Sequence, residues 1–327
     1  PRSDIGKERD RWATHLGISA VELTEFLSRF HWRHTTTEAG HLDNSKPLMA
    51  LAGLRTDDDA IARGVAAVRG WVKNGGGPKT AADVRREVAE AGLLARDGSL
   101  LLLIDGIEHT RTVTPPNVHL DFVELYEGDT GFERKRLVNS TDWDTTVLPQ
   151  INRAAATLKG FGVQHVHIAG SMRLPMWFAV GRALPRVSKF VLTSERLGGD
   201  WITDVQPEHV QPRELKRSSI DAGSELAIAI GLTGDPTLEV EEFLIAYGLP
   251  VDRLVVLGPP GEPSHTTVAS SEWALGWAHA ARIQIRTEVT SLRAPRIHLF
   301  MLCPSGIAMM LGHHWNMLPD TTVYEFV

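Results

Sequence analysis

Cysteine is almost absent from this sequence, because Cys303 is the single one among 327 residues. One thiol cannot form an intramolecular disulfide or a multi-cysteine zinc site, and such usage is typical of the reducing cytoplasm. The neighbours Leu302 and Pro304 favour a buried thiol over a nucleophile. No apolar run reaches the eighteen or so residues of a membrane span, and the N-terminus lacks the apolar core of a signal peptide. We therefore expect a cytoplasmic protein without membrane contact.

The sequence also lacks a strong excess of charge of either sign. The formal net charge is -6 and the isoelectric point is about 6.2. The whole surface therefore has no general attraction for nucleic acid, although a small anionic ligand in a local pocket stays possible. With 43% hydrophobic residues the chain can bury the cores of two or three domains. It begins at Pro1 without a methionine, and we expect it to be part of a longer protein.

The familiar motifs of enzymes are missing as well. The sequence has no nucleophile elbow, Walker loop, GxGxxG fingerprint or paired-carboxylate nuclease core. His313 and His314 are adjacent, so on a helix they would point about 100° apart and are poorly spaced for one metal ion. The charged run GFERKRL (131–137) is isolated and is interpreted as a solvated loop. The residues alone thus favour a ligand-binding module over an enzyme.

The first 95 residues are predicted to form a small helical module. Apolar residues recur at helical spacing in ISAVELTEFLSRFHW (18–32). A second helix is predicted over 57–73, acidic in its first turn and followed by the glycines of 75–77. A third is predicted over 80–94, with Thr80 as its cap. We interpret this module as a linker and not as a catalytic domain.

From residue 96 onward, predicted strands alternate with predicted helices. LLLLIDGIEHTRTV (100–113) is a β-rich lead-in. The later strands are predicted at 120–128, 163–170, 187–195, 226–232, 253–259, 296–302 and 321–326, and the helices at 142–159, 176–184, 238–249, 271–283 and 305–315. This alternation is typical of βαβ units on mainly parallel sheets.

An internal repeat divides this region. HVHIAGSMRLPMWFAVGRAL (165–184) aligns without a gap on RIHLFMLCPSGIAMMLGHHW (296–315), which pairs His167 with His298 and Gly181 with Gly312 at an offset of 131 residues. LDFVELYEGD (120–129) aligns on LAIAIGLTGD (226–235) at an offset of 106. Duplication of this kind predicts two similar structural units. We therefore predict an α/β fold of two fused Rossmann-like units with mainly parallel sheets, unit one spanning about 96–220 and unit two about 221–327.

The repeat also predicts where a ligand would bind. In open parallel sheets, ligands bind beyond the carboxyl ends of the strands, where free N–H groups at helix N-termini attract phosphate. Those ends carry Glu127–Asp129 and Gly170–Arg173 in the first half, and Thr233–Pro236 and Cys303–Gly306 in the second. Each position alone is also explained as a turn or a helix cap. Trp201, in GGDWITD, is the best candidate to stack on a base, while core packing is the general alternative for tryptophan.

The C-terminal 230 or so residues resemble the SAVED domain of bacterial anti-phage signalling systems (CBASS). The resemblance is carried by HIAGSMRLPMWFAVGRAL, IAIGLTGD and above all IHLFMLCPSGIAMMLGHHWN followed by VYEF. The hallmark of that family is two fused units similar to the CRISPR-associated Rossmann-fold sensor domain (CARF). The resemblance implies a helical linker over 1–95 and a SAVED domain over 96–327.

The same resemblance implies a receptor for a cyclic oligonucleotide, commonly a cyclic trinucleotide, as its activating ligand. Ligand binding would drive head-to-tail self-association and activate a fused effector. The helical segment looks like the linker that follows the endonuclease domain in one branch of these effectors, so DNA would be contacted only through a nuclease domain outside this chain. The implied pocket lies between the two units, and the residues expected to bind the ligand are Ser171, Met172, Arg173, Trp201, Thr233, Asp235 and Ser305.

Two alternatives belong to other functional classes. The first is an enzyme, namely a nucleotide-processing hydrolase that cleaves its own cyclic ligand, as some related sensor domains do. The second is a structural oligomerisation domain whose assembly ignores the ligand. The receptor hypothesis predicts that Arg173→Glu weakens ligand binding without unfolding the protein.

Overall fold

A computed structural model of the chain describes residues 54–73, 99–112, 116–161, 163–196 and 199–326, with isolated positions between 49 and 93. Met49–Val327 form one compact unit. The helix predicted over 18–32 lies outside the described residues, and of the one predicted over 80–94 only 84, 87, 88, 91 and 93 are described, the first three as helix. The helix predicted over 57–73 is present as α1 (Asp58–Lys73), with Asp58 and Asp59 in its first turn.

Two five-stranded sheets form the body of the molecule. The first contains β1 (Leu100–Asp105), β2 (Val118–Asp121), β3 (His165–Ser171), β4 (Val191–Arg196) and β5 (Gly199–Ile202). The second contains β6 (Arg213–Ser219), β7 (Glu225–Gly231), β8 (Val251–Gly258), β9 (Arg296–Leu302) and β10 (Asp320–Tyr324). The further helices are α2 (Leu148–Phe161), α3 (Leu174–Ala183), α4 (Thr237–Ala246), α5 (Ser271–Leu292) and α6 (Ser305–His313).

The strand orders are β2-β1-β3-β4-β5 and β10-β9-β7-β8-β6. All pairings are parallel except those of the edge strands β5 and β6, which are antiparallel to β4 and β8. Strand β1 is buried along its whole length, as parallel strands covered on both faces are. The predicted α/β class with two mainly parallel sheets is confirmed.

The repeat is present, but one of its two alignments is wrong. Strands β3 and β9 occupy the same place in the parallel orders β2-β1-β3-β4 and β8-β7-β9-β10, as the offset of 131 predicts. Residues 120–129, in contrast, contain the end of the edge strand β2 and a 3₁₀ turn, whereas 226–232 contain the central strand β7. The counterpart of β7 is β1, because Leu100 pairs with Val166 as Leu226 pairs with Ile297.

Strands β5 and β6 are absent from the predicted elements. β6 has the sequence RELKRSS and an exposed outer surface, so no apolar alternation indicates a strand. It pairs with β8 and belongs to the second sheet, although it precedes the expected unit boundary near residue 220. The second sheet therefore begins one strand earlier than the sequence suggests.

Helices α3 and α6 pack directly against each other through a pair of glycines. A Cβ on Gly181 would overlap the carbonyl oxygen of Met309, and a Cβ on Gly312 would overlap that of Phe178. These two contacts are related by the same offset of 131 residues. The alignment of Gly181 with Gly312 thus reflects a crossing in which the two backbones approach each other symmetrically.

One core joins the sheets through this crossing. It combines alternate side chains of β1 and β3, such as Leu102 and Ile168, with those of β7 and β9, such as Ile228 and Leu299. A smaller core lies on the other face of the second sheet under α4, around Phe300. No helix among the described residues combines the length and the apolar character that a membrane span requires.

Neutral histidines lie where α5, α6 and the turn after α3 meet. The Nε2 atoms of His279 and His314 are 3.1 Å apart, and the Arg186 guanidinium approaches His279 Nε2 at 3.1 Å. Arginine only donates, so this nitrogen of His279 is the unprotonated one and His314 donates to it. Burial lowers the pKa of His314 to about 2 and that of the neighbouring His313 to about 4.

These histidines predict a loss of stability in acid. Their pKa values are lower in the folded than in the unfolded chain, so the unfolded chain binds more protons and stability falls as the pH drops below about 6.5. For His314 the loss is about 1.4 kcal/mol at pH 5.5. Urea unfolding of the wild type and of His314→Leu at pH 7.5 and 5.5 measures it. An equal pH dependence of the two proteins would show that His314 is not buried in its neutral form.

Candidate functional site

A cavity of about 370 Å³ lies where the loop after β2 meets the beginning of α3 and the end of β10. Lys135, Arg136 and Arg173 supply positive charge to its wall, and Glu325 supplies one carboxylate. The other lining residues are Tyr126, Leu137, Ser140, Trp143, Pro175 and Val323. Both halves of the repeat contribute, because Val323 and Glu325 come from the second half. A cationic cavity with aromatic walls suits an anionic ligand that carries flat rings.

Arg173 positions the loop that carries the other two cations. It precedes α3, and its Nη2 donates to the carbonyl oxygens of Arg134 at 2.8 Å and Gly131 at 3.2 Å. Its Nε donates to the Arg134 carbonyl as well, at 3.1 Å. The Arg134 side chain in turn donates to the carbonyl of Ile107, in the loop after β1, at 3.0 Å. Arg173 is therefore both a wall of the cavity and the anchor of its neighbouring loop.

The loop 127–137 folds back on itself beside the cavity. The Glu127 N–H donates to the Arg136 carbonyl at 2.8 Å, and Tyr126 and Leu137 form an isolated antiparallel bridge. Lys135 Nζ lies 5.1 Å from the centre of the Phe132 ring. GFERKRL is a loop, as interpreted from the sequence, and its Lys135 and Arg136 line the cavity. The four consecutive charged residues Glu133 to Arg136, after the strand predicted over 120–128, were the sequence signal for this part of the cavity.

Trp143 and Tyr126 form the aromatic part of the wall. Trp143 begins a π-helical turn, Trp143–Val147, that leads into α2, and it is only partly buried against the core. Tyr126 is buried, and this burial together with the nearby Glu325 raises the pKa of its hydroxyl to about 12. Trp143 is the side chain here with aromatic surface left for stacking.

Ser171 and Met172 lie next to Arg173 but serve the fold. The Ser171 carbonyl accepts hydrogen bonds from the N–H groups of Gly106 and Ile107 at 2.8 and 3.0 Å, which fixes the loop after β1. Met172 is only 9% exposed and belongs to the core. Of the seven residues predicted to bind ligand, all of them described, Arg173 is the one that lines the cavity.

Thr233, Asp235 and Ser305 lie at the carboxyl edge of the second sheet. Thr233 Oγ1 donates to the Leu302 carbonyl at 3.2 Å, which joins the ends of β7 and β9. Asp235 is exposed and accepts from the Thr237 N–H at 3.0 Å, just before α4. Ser305 is the first residue of α6. The structure groups these three at one edge, as predicted, but outside the cavity.

Trp201 is not an exposed stacking wall in this structure. It lies on β5, is 4% exposed, and its indole lies against Gly306, where a Cβ would overlap the ring. In the alignment of the two repeats Gly306 corresponds to Pro175, which lines the cavity. The position beside α6 that corresponds to the cavity beside α3 is therefore filled by the indole of Trp201.

Two histidine–aspartate pairs lie at the carboxyl edge of the first sheet. His119 Nε2 is 2.8 Å from Oδ2 of the buried Asp105, and His109 Nε2 is 3.0 Å from Asp121 Oδ2. Asp105 and Asp121 are neighbours on β1 and β2. The hydrogen bond from the Val123 N–H and the bond to His109 lower the pKa of Asp121 against the effect of burial. In the described part of the chain, no cluster of three such ligands is placed to hold a metal ion.

Solved structures share this architecture. The Cap4 SAVED/CARF-domain containing receptor of Acinetobacter baumannii with the cyclic trinucleotide 2'3'3'-cAAA is 16% identical, with a TM-score of 0.64 over 100% of this chain and 71% of that one. The same receptor with 3'3'3'-cAAA is 19% identical, with a TM-score of 0.61 over 100% of this chain and 71% of that one. The Moraxella osloensis Cap4 SAVED/CARF-domain containing receptor is 17% identical, with a TM-score of 0.53 over 99% and 71%.

The sequence itself identifies the family. A comparison with curated protein sequences gives no match. Residues 147–327 match SAVED, the SMODS-associated and fused to various effectors sensor domain. This match covers more than half of the chain and includes α2, α3 and the whole second sheet. The chain therefore belongs to the SAVED family of sensor domains.

Proposed function

We propose that this chain is a receptor for a cyclic oligonucleotide, a cyclic trinucleotide, in anti-phage signalling. The observation that carries the proposal is the grouping of Lys135, Arg136 and Arg173 around one cavity beside Trp143, in a chain whose net charge is -6. Membership of the SAVED family supports it. The two structures of the Acinetobacter baumannii receptor, which has the same fold and holds a cyclic trinucleotide in each, support it further.

The cations have separate roles in this proposal. Arg173, Lys135 and Arg136 bind phosphate groups, and Trp143 stacks on a base. A cavity of about 370 Å³ is near the lower end of the roughly 300–1,000 Å³ typical of drug-sized ligands. A ring of three nucleotides is larger and extends beyond it. We therefore keep Ser171, Thr233, Asp235 and Ser305 as proposed contacts of the outer part of the ring.

We also propose that ligand binding drives self-association and activates a fused effector in the cytoplasm. In this proposal residues 1–95 are the linker and residues 96–327 the sensor. The effector is a DNA endonuclease outside this chain, and the chain contacts DNA only through it. A purely structural oligomerisation domain would assemble equally well with and without ligand. Light scattering in the presence and absence of ligand therefore distinguishes it from a receptor whose self-association the ligand drives.

A thermal-shift screen against cyclic di-, tri- and tetranucleotides tests the receptor function. At a ligand concentration of a hundred times Kd, a ligand that binds only the folded chain stabilises it by about 2.7 kcal/mol. We expect a selective shift for a cyclic trinucleotide.

Arg136→Ala should weaken binding about tenfold, through the loss of one charge-assisted hydrogen bond. Arg153→Ala, which changes an exposed arginine on α2, should leave the shift unchanged. Folded protein without a shift for any ligand would refute the proposal.

A second candidate is an enzyme that cleaves its own cyclic ligand. It is favoured by the two pairs His119–Asp105 and His109–Asp121, because a carboxylate that orients an imidazole is a common device of acid–base catalysis. Chromatography of the ligand after incubation distinguishes the candidates. Intact ligand is the result expected of a receptor. Linear product that disappears in His119→Asn would establish the enzyme.

A further inference from the structure

The second half of the chain inserts a carboxylate among the cations of the cavity. Glu325 directly follows β10 and lines the cavity beside Arg173, close to the backbone N–H of Leu174, the first residue of α3. Its Oε2 atom is buried and has no hydrogen-bond partner among the described residues. Free N–H groups at the beginning of a helix favour an anion. Glu325 therefore occupies a position in which a phosphate group would also be stabilised.

The groups around Glu325 come from three other elements. Arg173 precedes α3, Tyr126 follows the turn after β2, and Cys303 lies between β9 and α6. Lys135 and Arg136 share the cavity wall with it. The hydroxyl of Tyr126 and the thiol of Cys303 both stay protonated, since burial raises the pKa of each. Glu325 is thus an acidic group among cations and neutral hydrogen-bond donors.

We propose that Glu325 is an internal competitor for the phosphate-binding position of the cavity, and that it takes up a proton when a phosphate of the ligand binds. This inference rests on the proposed function. A phosphate and an ionised carboxylate beside Arg173 repel each other, so the cavity cannot hold both in that position. A protonated Glu325, in contrast, can stay and donate a hydrogen bond to the phosphate.

The competition predicts how ligand affinity depends on pH. Burial raises the pKa of Glu325 to about 7, although Arg173 and the Leu174 N–H act in the opposite direction. Ligand that binds with Glu325 protonated takes up a proton, so its affinity decreases as the pH rises above 7, by up to about tenfold per pH unit. No histidine lines the cavity in the part of the chain that the structure describes.

Isothermal titration of the full chain with 2'3'3'-cAAA and 3'3'3'-cAAA at pH 6, 7 and 8 tests this inference, in the wild type and in Glu325→Gln. Glutamine keeps the shape of the side chain and removes the charge. We expect Glu325→Gln to bind about tenfold more tightly at pH 8, with an affinity almost independent of pH. Glu239→Gln is the matched control, because Glu239 is an exposed carboxylate in the first turn of α4.

The outcomes separate this inference from the receptor function. If the wild type binds with the same affinity and pH dependence as Glu325→Gln, the competition is refuted, but the proposed receptor function stands. Weaker binding by Glu325→Gln also overturns it, since Glu325 would then be a contact of the ligand. If neither protein binds either ring, both proposals fail, whereas binding by Glu325→Gln alone supports both. Should the variant not fold, the pH dependence of the wild type decides, because a flat profile contradicts the inference.

Discussion

Arg173→Glu is expected to weaken the binding of a cyclic trinucleotide by about a hundredfold, which corresponds to about 2.7 kcal/mol. The change removes hydrogen bonds to charged groups, worth about 1.5–3 kcal/mol. It also places a second carboxylate beside Glu325, and it releases the carbonyls of Gly131 and Arg134 that hold the loop of Lys135 and Arg136. Titration calorimetry measures the loss. Thermal unfolding should stay cooperative, because the loop lies outside the core.

Two other variants distinguish the charge of Arg173 from its geometry. Arg173→Lys keeps the positive charge but lacks the planar guanidinium whose Nε and Nη2 donate to the loop carbonyls, so we expect an intermediate loss of affinity. Arg153→Glu changes an exposed arginine on α2 by the same two charges and should leave the affinity unaltered. An unchanged affinity of Arg173→Glu would remove Arg173 from the site. An equal loss in Arg153→Glu would show that the effect is only one of total charge.

The sequence predicted the parts of the fold that depend on local pattern. The central strands are apolar runs between turns, and the helices lie in the segments between them, so both could be read without a structure. The match between 165–184 and 296–315 is real because both segments pack at the same crossing, which leaves no room for a side chain at Gly181 or Gly312. The match at 120–129 was wrong, since a glycine–aspartate turn follows many kinds of strand.

The cavity depends on interactions that no local pattern contains. Lys135 and Arg136 line it because Arg173, almost forty residues later, binds backbone carbonyls of their loop, and carbonyls are the same for every residue type. Glu325 reaches the cavity from the far end of the chain. Trp201 was expected to be open, but a glycine about a hundred residues away provides the space that buries its indole. Arg173 could be found because strand ends and helix beginnings are visible in sequence.

Gly181→Ala and Gly312→Ala are each expected to lower the free energy of unfolding by roughly 3 kcal/mol, the upper part of the range for overpacking in a tight core. In each variant the new methyl group overlaps a backbone carbonyl of the other helix, of Met309 or Phe178, and a carbonyl cannot rotate away as a side chain can. Guanidinium unfolding followed by circular dichroism measures both losses. The symmetry of the crossing predicts that the two values are similar.

Matched controls separate this overlap from the ordinary effect of alanine in a helix. Gly70 in α1 has no atom within 4 Å of the place that a Cβ would occupy, so Gly70→Ala should instead stabilise the chain, by up to about 1 kcal/mol, through helix propensity. The double variant of Gly181 and Gly312 should lose less than the sum of the single losses, because helices already forced apart by one methyl group accommodate the second. If the two losses of unfolding free energy simply add, the two glycine contacts between α3 and α6 are independent. Stability equal to the wild type in both single variants would show that the helices do not cross at these glycines.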